Sequence, residues 1–126
     1  MTIHTIMTAD ESGKELVEFA QTVAQVLVSN NLTRGQIRTI FTEVRQIEAL
    51  WGTRRADALR RLLMLKPKLA YQAARIQSVY RLKEVLSEAV DEVEKAPESK
   101  KDNAFRRFVD LFEAILAYHR ALGGKN

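Results

Sequence analysis

The sequence predicts an all-α fold, a compact single-domain bundle of five to six helices. Three observations carry this reading. Apolar residues recur at spacings of three and four along almost the whole chain. No stretch alternates apolar and polar residues over a length that suits a half-buried strand. The 126 residues suit one domain, and 46% hydrophobic against 29% charged residues supplies a core without approaching the composition of a disordered chain.

Residues 1–9 read as a flexible N-terminus. The first predicted helix starts near Thr8, where Thr8 and Glu11 have the spacing of a capping box. Leu16, Phe19, Ala20, Val23, Ala24 and Leu27 form its stripe. Asn30 and Asn31 end it, because Asn tolerates left-handed backbone geometry. A second capping box, Thr33 with Gln36, opens a helix whose apolar face is Ile37, Ile40, Phe41, Val44, Ile47 and Trp51, with Gly52 as its stop.

A third helix is expected over about Thr53–Leu65, burying Ala56, Leu59, Leu62 and Leu63. Pro67 should break it and open the next helix, since proline lacks an amide hydrogen and suits a first turn. The spacing then runs through Leu69, Ala70, Ala73, Leu82, Val85, Leu86, Ala89 and Val93, with a bend between Arg75 and Leu82 where the stripe is irregular. Residues 95–103, with Pro97 and mixed charges, read as a loop. Phe105, Phe108, Val109, Phe112, Ile115, Leu116 and His119 mark the last helix, and Gly123-Gly124 its cap. Phe19, Phe41, Phe105, Phe108 and Phe112 all read as packing residues.

There is no cysteine, so disulfides and thiolate metal sites are excluded. The first ten residues lack the basic stretch and apolar run of a signal peptide. No run approaches the roughly 18 apolar residues of a membrane span. A cytoplasmic protein with no membrane partner is the expectation.

Charge is informative once divided. Leu32 to Lys83 holds twelve Lys or Arg against three acids (Glu43, Glu48, Asp57), a net of +9, and the remainder carries −5, giving +4 for the chain. Such asymmetry points to a polyanionic partner. Arg34, Arg38 and Arg45 project within about 40° of one another on a helix. Arg54 and Arg61 share a face, flanked by Arg55 and Arg60. Lys66 and Lys68 bracket Pro67, where a helix N-terminus would add free amides, and Arg75 follows two turns on. Arginine predominates, and its planar fork suits phosphate oxygens. The opposing reading is a solvated basic surface, or one paired with the acidic row Glu84, Glu88, Asp91 and Glu92.

The segment Lys66-Pro-Lys-Leu-Ala-Tyr-Gln-Ala-Ala-Arg75 and the ending Phe108-Val-Asp-Leu-Phe-Glu-Ala-Ile-Leu-Ala-Tyr-His-Arg120, followed by Gly123-Gly124, resemble the small subunit of the Csm complex, the type III-A CRISPR effector. Leu32-Thr-Arg-Gly-Gln-Ile-Arg38 fits the same family. The family usually carries glycine before the arginine of the first block, where this chain has Ala74. The resemblance implies a helical bundle stacked in several copies beside the backbone subunits, lining the groove for guide RNA and target RNA. Target cleavage then belongs to the backbone subunits, and DNA cleavage and signal synthesis to the large subunit. Carried over by position, Arg34, Arg38, Lys66, Lys68 and Arg75 are the expected RNA contacts. Arg45, Arg54, Arg55, Arg60 and Arg61 are added by charge and helix geometry alone. Contacts to phosphate alone suit a subunit that must accept any guide.

No catalytic residue, metal site or cofactor is expected. His4 and His119 lack a neighbouring nucleophile motif, there is no Gly-rich phosphate loop, and a lone carboxylate row at Glu84, Glu88 and Glu92 is weak support for an ion site. Tyr71 reads as a core-edge residue, with a stacking or ribose contact near the lysines as the open alternative, and Tyr118 and His119 as structural or interface residues, with RNA contact as theirs. Two alternatives stay open: an assembly adaptor without direct RNA contact, and a helix-turn-helix-like DNA-binding protein.

Overall fold

The structure, a computed structural model, describes residues 2–126. Among them are six α-helices and one 3-10 turn, with no strand. They are α1 (Thr2–Thr8), α2 (Lys14–Ser29), α3 (Arg34–Trp51), α4 (Arg55–Arg75), the 3-10 turn (Gln77–Val79), α5 (Tyr80–Lys95) and α6 (Glu98–Ala121). Helix α2 lies along α6, α4 bridges α3 and α5, and α1 closes over α5, α2 and α6. One apolar core joins all six helices. Within it Phe41 meets Phe112 edge to face at 5.0 Å, a geometry that the ring quadrupole favours, and at its margin the partly buried Trp51 stacks on Phe105 at 4.0 Å.

Several boundaries follow the sequence. The Thr33–Gln36 capping box is formed in both directions, with Gln36 N–H on the Thr33 hydroxyl and Thr33 N–H on the Gln36 side chain. Asn31 takes φ +65°, and the amides of Asn31 and Leu32 return to the carbonyls of Val28 and Leu27. This is a Schellman cap with Asn in the left-handed position, sealed by buried Leu27 and Leu32. The bend expected between Arg75 and Leu82 is present: Ile76 is extended and the 3-10 turn follows.

Five expectations are corrected. Residues 1–9, read as flexible, include helix α1 over Thr2–Thr8, which buries Ile3, Ile6 and Met7. Seven residues are too few to reveal a helical period, and a helix this short is held by tertiary packing rather than propensity. Its C-terminal Ile6 carbonyl accepts from Arg107 at 3.0 Å.

The Thr8–Glu11 capping box does not form. The Thr8 hydroxyl donates back to the His4 carbonyl, and the Asp10 carboxylate instead accepts the amides of Glu15 and Leu16 at 3.2 and 2.8 Å. Helix α2 therefore begins later, after Gly13 at φ +82°.

Pro67 does not break the chain, because α4 runs through it from Arg55 to Arg75. Its exposed position leaves the Leu63 carbonyl, the acceptor it cannot serve, on the solvent side. Ala56, Leu63 and Ala70, expected on the apolar stripe, are exposed; Leu62 and Leu69 are buried as expected, together with Ala58 and Leu65.

Residues 95–103, read as a loop, are mostly helix, since α6 begins at Glu98 directly after Pro97. Lys101 makes this start stable. It is buried, and its ammonium donates to the carbonyls of Val93 and Glu94 at 3.2 and 2.8 Å. That satisfies the end of α5 with a cation at the negative end of the helix dipole.

Candidate nucleic-acid interface

The ten predicted cations lie on α3, on α4 and at the turn between them, but they do not form one continuous patch. Six are ion-paired. Arg45 donates to Glu48 at 2.7 Å and to Glu113 at 2.5 Å. These two hydrogen bonds, Glu48 first, raise the Arg45 guanidinium above its ordinary pKa. Arg54 pairs with Asp57 at 2.7 Å. Arg55 reaches Glu98 and Asp102 at 2.9 and 2.8 Å, and its guanidinium lies 4.6 Å from the Trp51 ring. Arg61 and Lys68 share Glu43, at 3.0 and 3.4 Å. Lys66 pairs with Asp91 at 2.5 Å.

Lys66 and Lys68 thus turn to opposite sides of α4, one toward α5 and the other toward α3. Two residues apart on a helix they differ by about 200°, so the Lys-Pro-Lys block cannot offer both ammoniums to one phosphate run. Nor does a helix N-terminus stand beside them, since α4 passes unbroken through Pro67.

The other four predicted cations have no carboxylate partner among the described residues. Arg34 donates from Nε to the Gly124 carbonyl at 2.9 Å, and its amide donates to the Lys125 carbonyl. It is tied to the C-terminal tail. Arg38 and Arg60 are exposed. Arg75 is exposed at the end of α4 and lies over the Tyr71 ring, 5.6 Å from its centroid. Tyr71 is 63% exposed, well outside the core edge expected for it.

The exposed ion pairs do not lock the surface. Such pairs contribute roughly 0–1 kcal/mol, and a strand of phosphates competes with them directly. Arg54 and Lys68, whose side chains are among the most open, can exchange a carboxylate for a phosphate at small cost. Arg55 is half-buried between two carboxylates and an indole, its Nε is buried without a partner, and its ion pairs join α4 to α6.

Of the carboxylates that organise this surface, the sequence pointed to Asp91, in the acidic row set against the basic segment, and to Glu43, among that segment's three acids. Sequence reasoning missed Glu98, Asp102 and Glu113 from α6. It also missed Tyr80 and Lys83, whose spacing of three on α5 places the ammonium 5.3 Å from an exposed ring.

The acidic row on α5 is divided among partners: Glu84 with Arg81, Asp91 with Lys66, and Glu92 with His4 and Lys95. Among the described residues no group of His, Asp and Glu has the arrangement of a metal site. Likewise no described helix is long and apolar enough to cross a membrane. Tyr118 is half-buried against the core. His119 is fully buried, with its Nε2 2.7 Å from the Leu32 carbonyl.

Comparison with curated proteins and with solved structures returned no match. Comparison with protein families gave a match to the Csm2 type III-A family over residues 10–125. That span takes in every helix from α2 to α6, the basic α3–α4 segment and the Gly123-Gly124 ending. The chain belongs to the Csm2 family, the small subunit of the type III-A CRISPR effector complex.

Proposed function

We propose that the chain is a non-catalytic subunit that holds guide and target RNA without reading their sequence, and that packs as repeated copies along the complex. The observation that carries the reading is the excess of cations from α3 to the first turn of α5, twelve Lys or Arg against three acids over Leu32–Lys83, in a chain of this family. Arg38, Arg60 and Arg75 supply the uncommitted positive charge, and Arg54 and Lys68 supply charge held by weak surface pairs. Contacts of this kind fix position on a strand and carry no sequence information. No step of chemistry is assigned to any side chain, and cleavage falls to other subunits.

The test is binding of unrelated RNA sequences over a range of salt. Replacing Arg38, Arg60 and Arg75 together with alanine should leave the helical content intact and weaken every RNA similarly. The logarithmic salt slope should fall by up to about 2, at about 0.7 per single-strand phosphate lost. An unchanged affinity and slope would remove these residues from the RNA surface. Tighter binding to random DNA than to random RNA would favour a DNA-binding role instead.

The pairing of six cations with carboxylates supports a second reading, an assembly adaptor. In that case the same arginines and lysines exchange partners with the acids of a neighbouring copy, and no RNA is needed. Light scattering separates the two: growth in mass without RNA supports the adaptor, and growth only with RNA supports the first reading.

A further inference from the structure

The junction of α4, the 3-10 turn and α5 forms an open groove of about 810 Å³. That volume lies within the roughly 300–1,000 Å³ of small-ligand sites. Its wall differs from the rest of the surface. Arg75 supplies unpaired positive charge and Arg81 a guanidinium paired with Glu84; Asn30, Gln77 and Ser78 supply neutral donors and acceptors, and Tyr80 supplies an aromatic ring. No carboxylate lines it, whereas the grooves between α1 and α6, between α3 and α4, and between α3 and α6 each contain at least one.

One exposed tyrosine, Tyr80, lines this groove and a second, Tyr71, stands one turn before Arg75 on α4, each with a cation over its ring. Tyr80 is 52% exposed with Lys83 beside it, and Tyr71 is 63% exposed with Arg75 beside it. Arg75 connects the pair, since it lies over Tyr71 and also lines the groove. Neither Arg75 nor Lys83 has a carboxylate partner among the described residues. A tyrosine with both faces covered would serve packing. With one face under a cation and about half its surface open, Tyr80 keeps a face for a second ring.

The geometry points to a subsite for an unstacked nucleotide: a base laid on Tyr80 in the groove, with the flanking phosphates held by Arg75 and Lys83. Aromatic platforms beside cations are how proteins hold single strands without sequence preference, because every base has a π-face. A duplex keeps its bases stacked and cannot offer one to the ring. The subsite rests on the RNA-binding reading and narrows it: this end of the molecule takes a looped or single-stranded nucleotide, not the body of a helix.

The test uses the full chain and two probes, a single-stranded oligouridylate carrying one 2-aminopurine and an A-form RNA duplex of equal length. Tyr80→Ala should weaken the single strand by about 5- to 150-fold, the range for loss of one base–aromatic stack. It should leave the duplex unchanged and abolish the quenching of 2-aminopurine emission on binding. Tyr80→Phe should keep both affinity and quenching. The double variant Tyr71→Ala, Arg75→Ala, at exposed positions, gives an independent reading and should weaken the single strand while circular dichroism stays native. Equal binding of the single strand by wild type and Tyr80→Ala overturns the subsite and leaves the broader reading standing. No binding of either probe at low salt overturns both.

Discussion

His119 donates from Nε2 to the carbonyl oxygen of Leu32 across 2.7 Å, in the interior of the protein. The two residues sit at opposite ends of two Schellman caps. Leu32 is the closing residue of the cap on α2, and His119 provides the carbonyl to which the Gly124 amide returns at the end of α6. Because a carbonyl only accepts, the proton is on Nε2, and Nδ1 is left buried without a partner in the protein. The Gly123–Lys125 tail then crosses the histidine ring and reaches the first turn of α3 through Arg34. One buried side chain thus ties the ends of α2 and α6 to the start of α3.

This arrangement predicts an order of sensitivity at the C-terminus. A Cβ at Gly124 would run into the His119 ring, so Gly124→Ala should cost about 1–3 kcal/mol, as overpacking does. Gly123 has open space but φ +87°, so Gly123→Ala should cost about 1–2 kcal/mol through backbone strain alone. His119→Ala should cost about 2–4 kcal/mol, from a cavity and an unsatisfied Leu32 carbonyl. Urea titrations followed by circular dichroism measure all three. If His119→Ala were neutral, the histidine would not be holding these helix ends together.

Pro67 gives a prediction of opposite sign. It lies inside α4 on an exposed position, where proline is unfavourable by roughly 3 kcal/mol relative to alanine. Its stiffening of the unfolded chain returns only about 0.4–1 kcal/mol. Pro67→Ala should therefore raise the stability by about 1–3 kcal/mol. A lower melting temperature would show that the proline shapes α4 for packing against α3 and α5.

Glu43 is the carboxylate to remove if the cations are to be released. Its side chain is mostly buried between α3 and α4 and serves both Arg61 and Lys68. Glu43→Gln keeps the shape and withdraws the charge. RNA affinity should rise a few-fold at low salt, and the salt slope should steepen by up to about 1.4, for two single-strand phosphates. An affinity that stays flat in a folded variant would mean that Arg61 and Lys68 face away from the RNA.

Asp110 supplies a pH dependence. Partial burial, and next the Glu113 carboxylate, raise its carboxyl above the ordinary value, with Glu48 adding to this and Arg106 opposing it. The native state therefore holds this proton more tightly than the unfolded chain does. The contribution is favourable at acid pH and is lost as pH rises from the ordinary carboxylate value through the raised one. Asp110→Asn should gain a few tenths of a kcal/mol over wild type near neutral pH, with the gain vanishing at the acid end. Parallel stability curves for the two proteins would refute the assignment.

Much of the scaffold was legible because its signals are local. The Thr33–Gln36 box, Asn30-Asn31, Gly123-Gly124 and the three-and-four spacing of α2, α3 and α6 act within one or two turns. Helix α1 and the start of α2 were not, because Ile3, Ile6 and Met7 gain their reason only from the surface they cover, and Asp10 caps the helix from outside its usual position. Pro67 was misread for the same reason: its penalty is local, and packing on both sides of α4 outweighs it.

The interface divides along the same line. By itself the sequence determined that this chain is a helical bundle of the Csm2 family with its positive charge gathered on α3 and α4, since periodicity, motif and charge are properties of neighbouring residues. The tertiary structure decided which of those charges are free. It brought Glu43, Asp91, Glu98, Asp102 and Glu113 to five of the cations, tied Arg34 to the tail, and left Arg38, Arg60 and Arg75 open. Coulombic pairing depends on distance through space, and residues tens of positions apart in the chain come within 3 Å only when the helices pack.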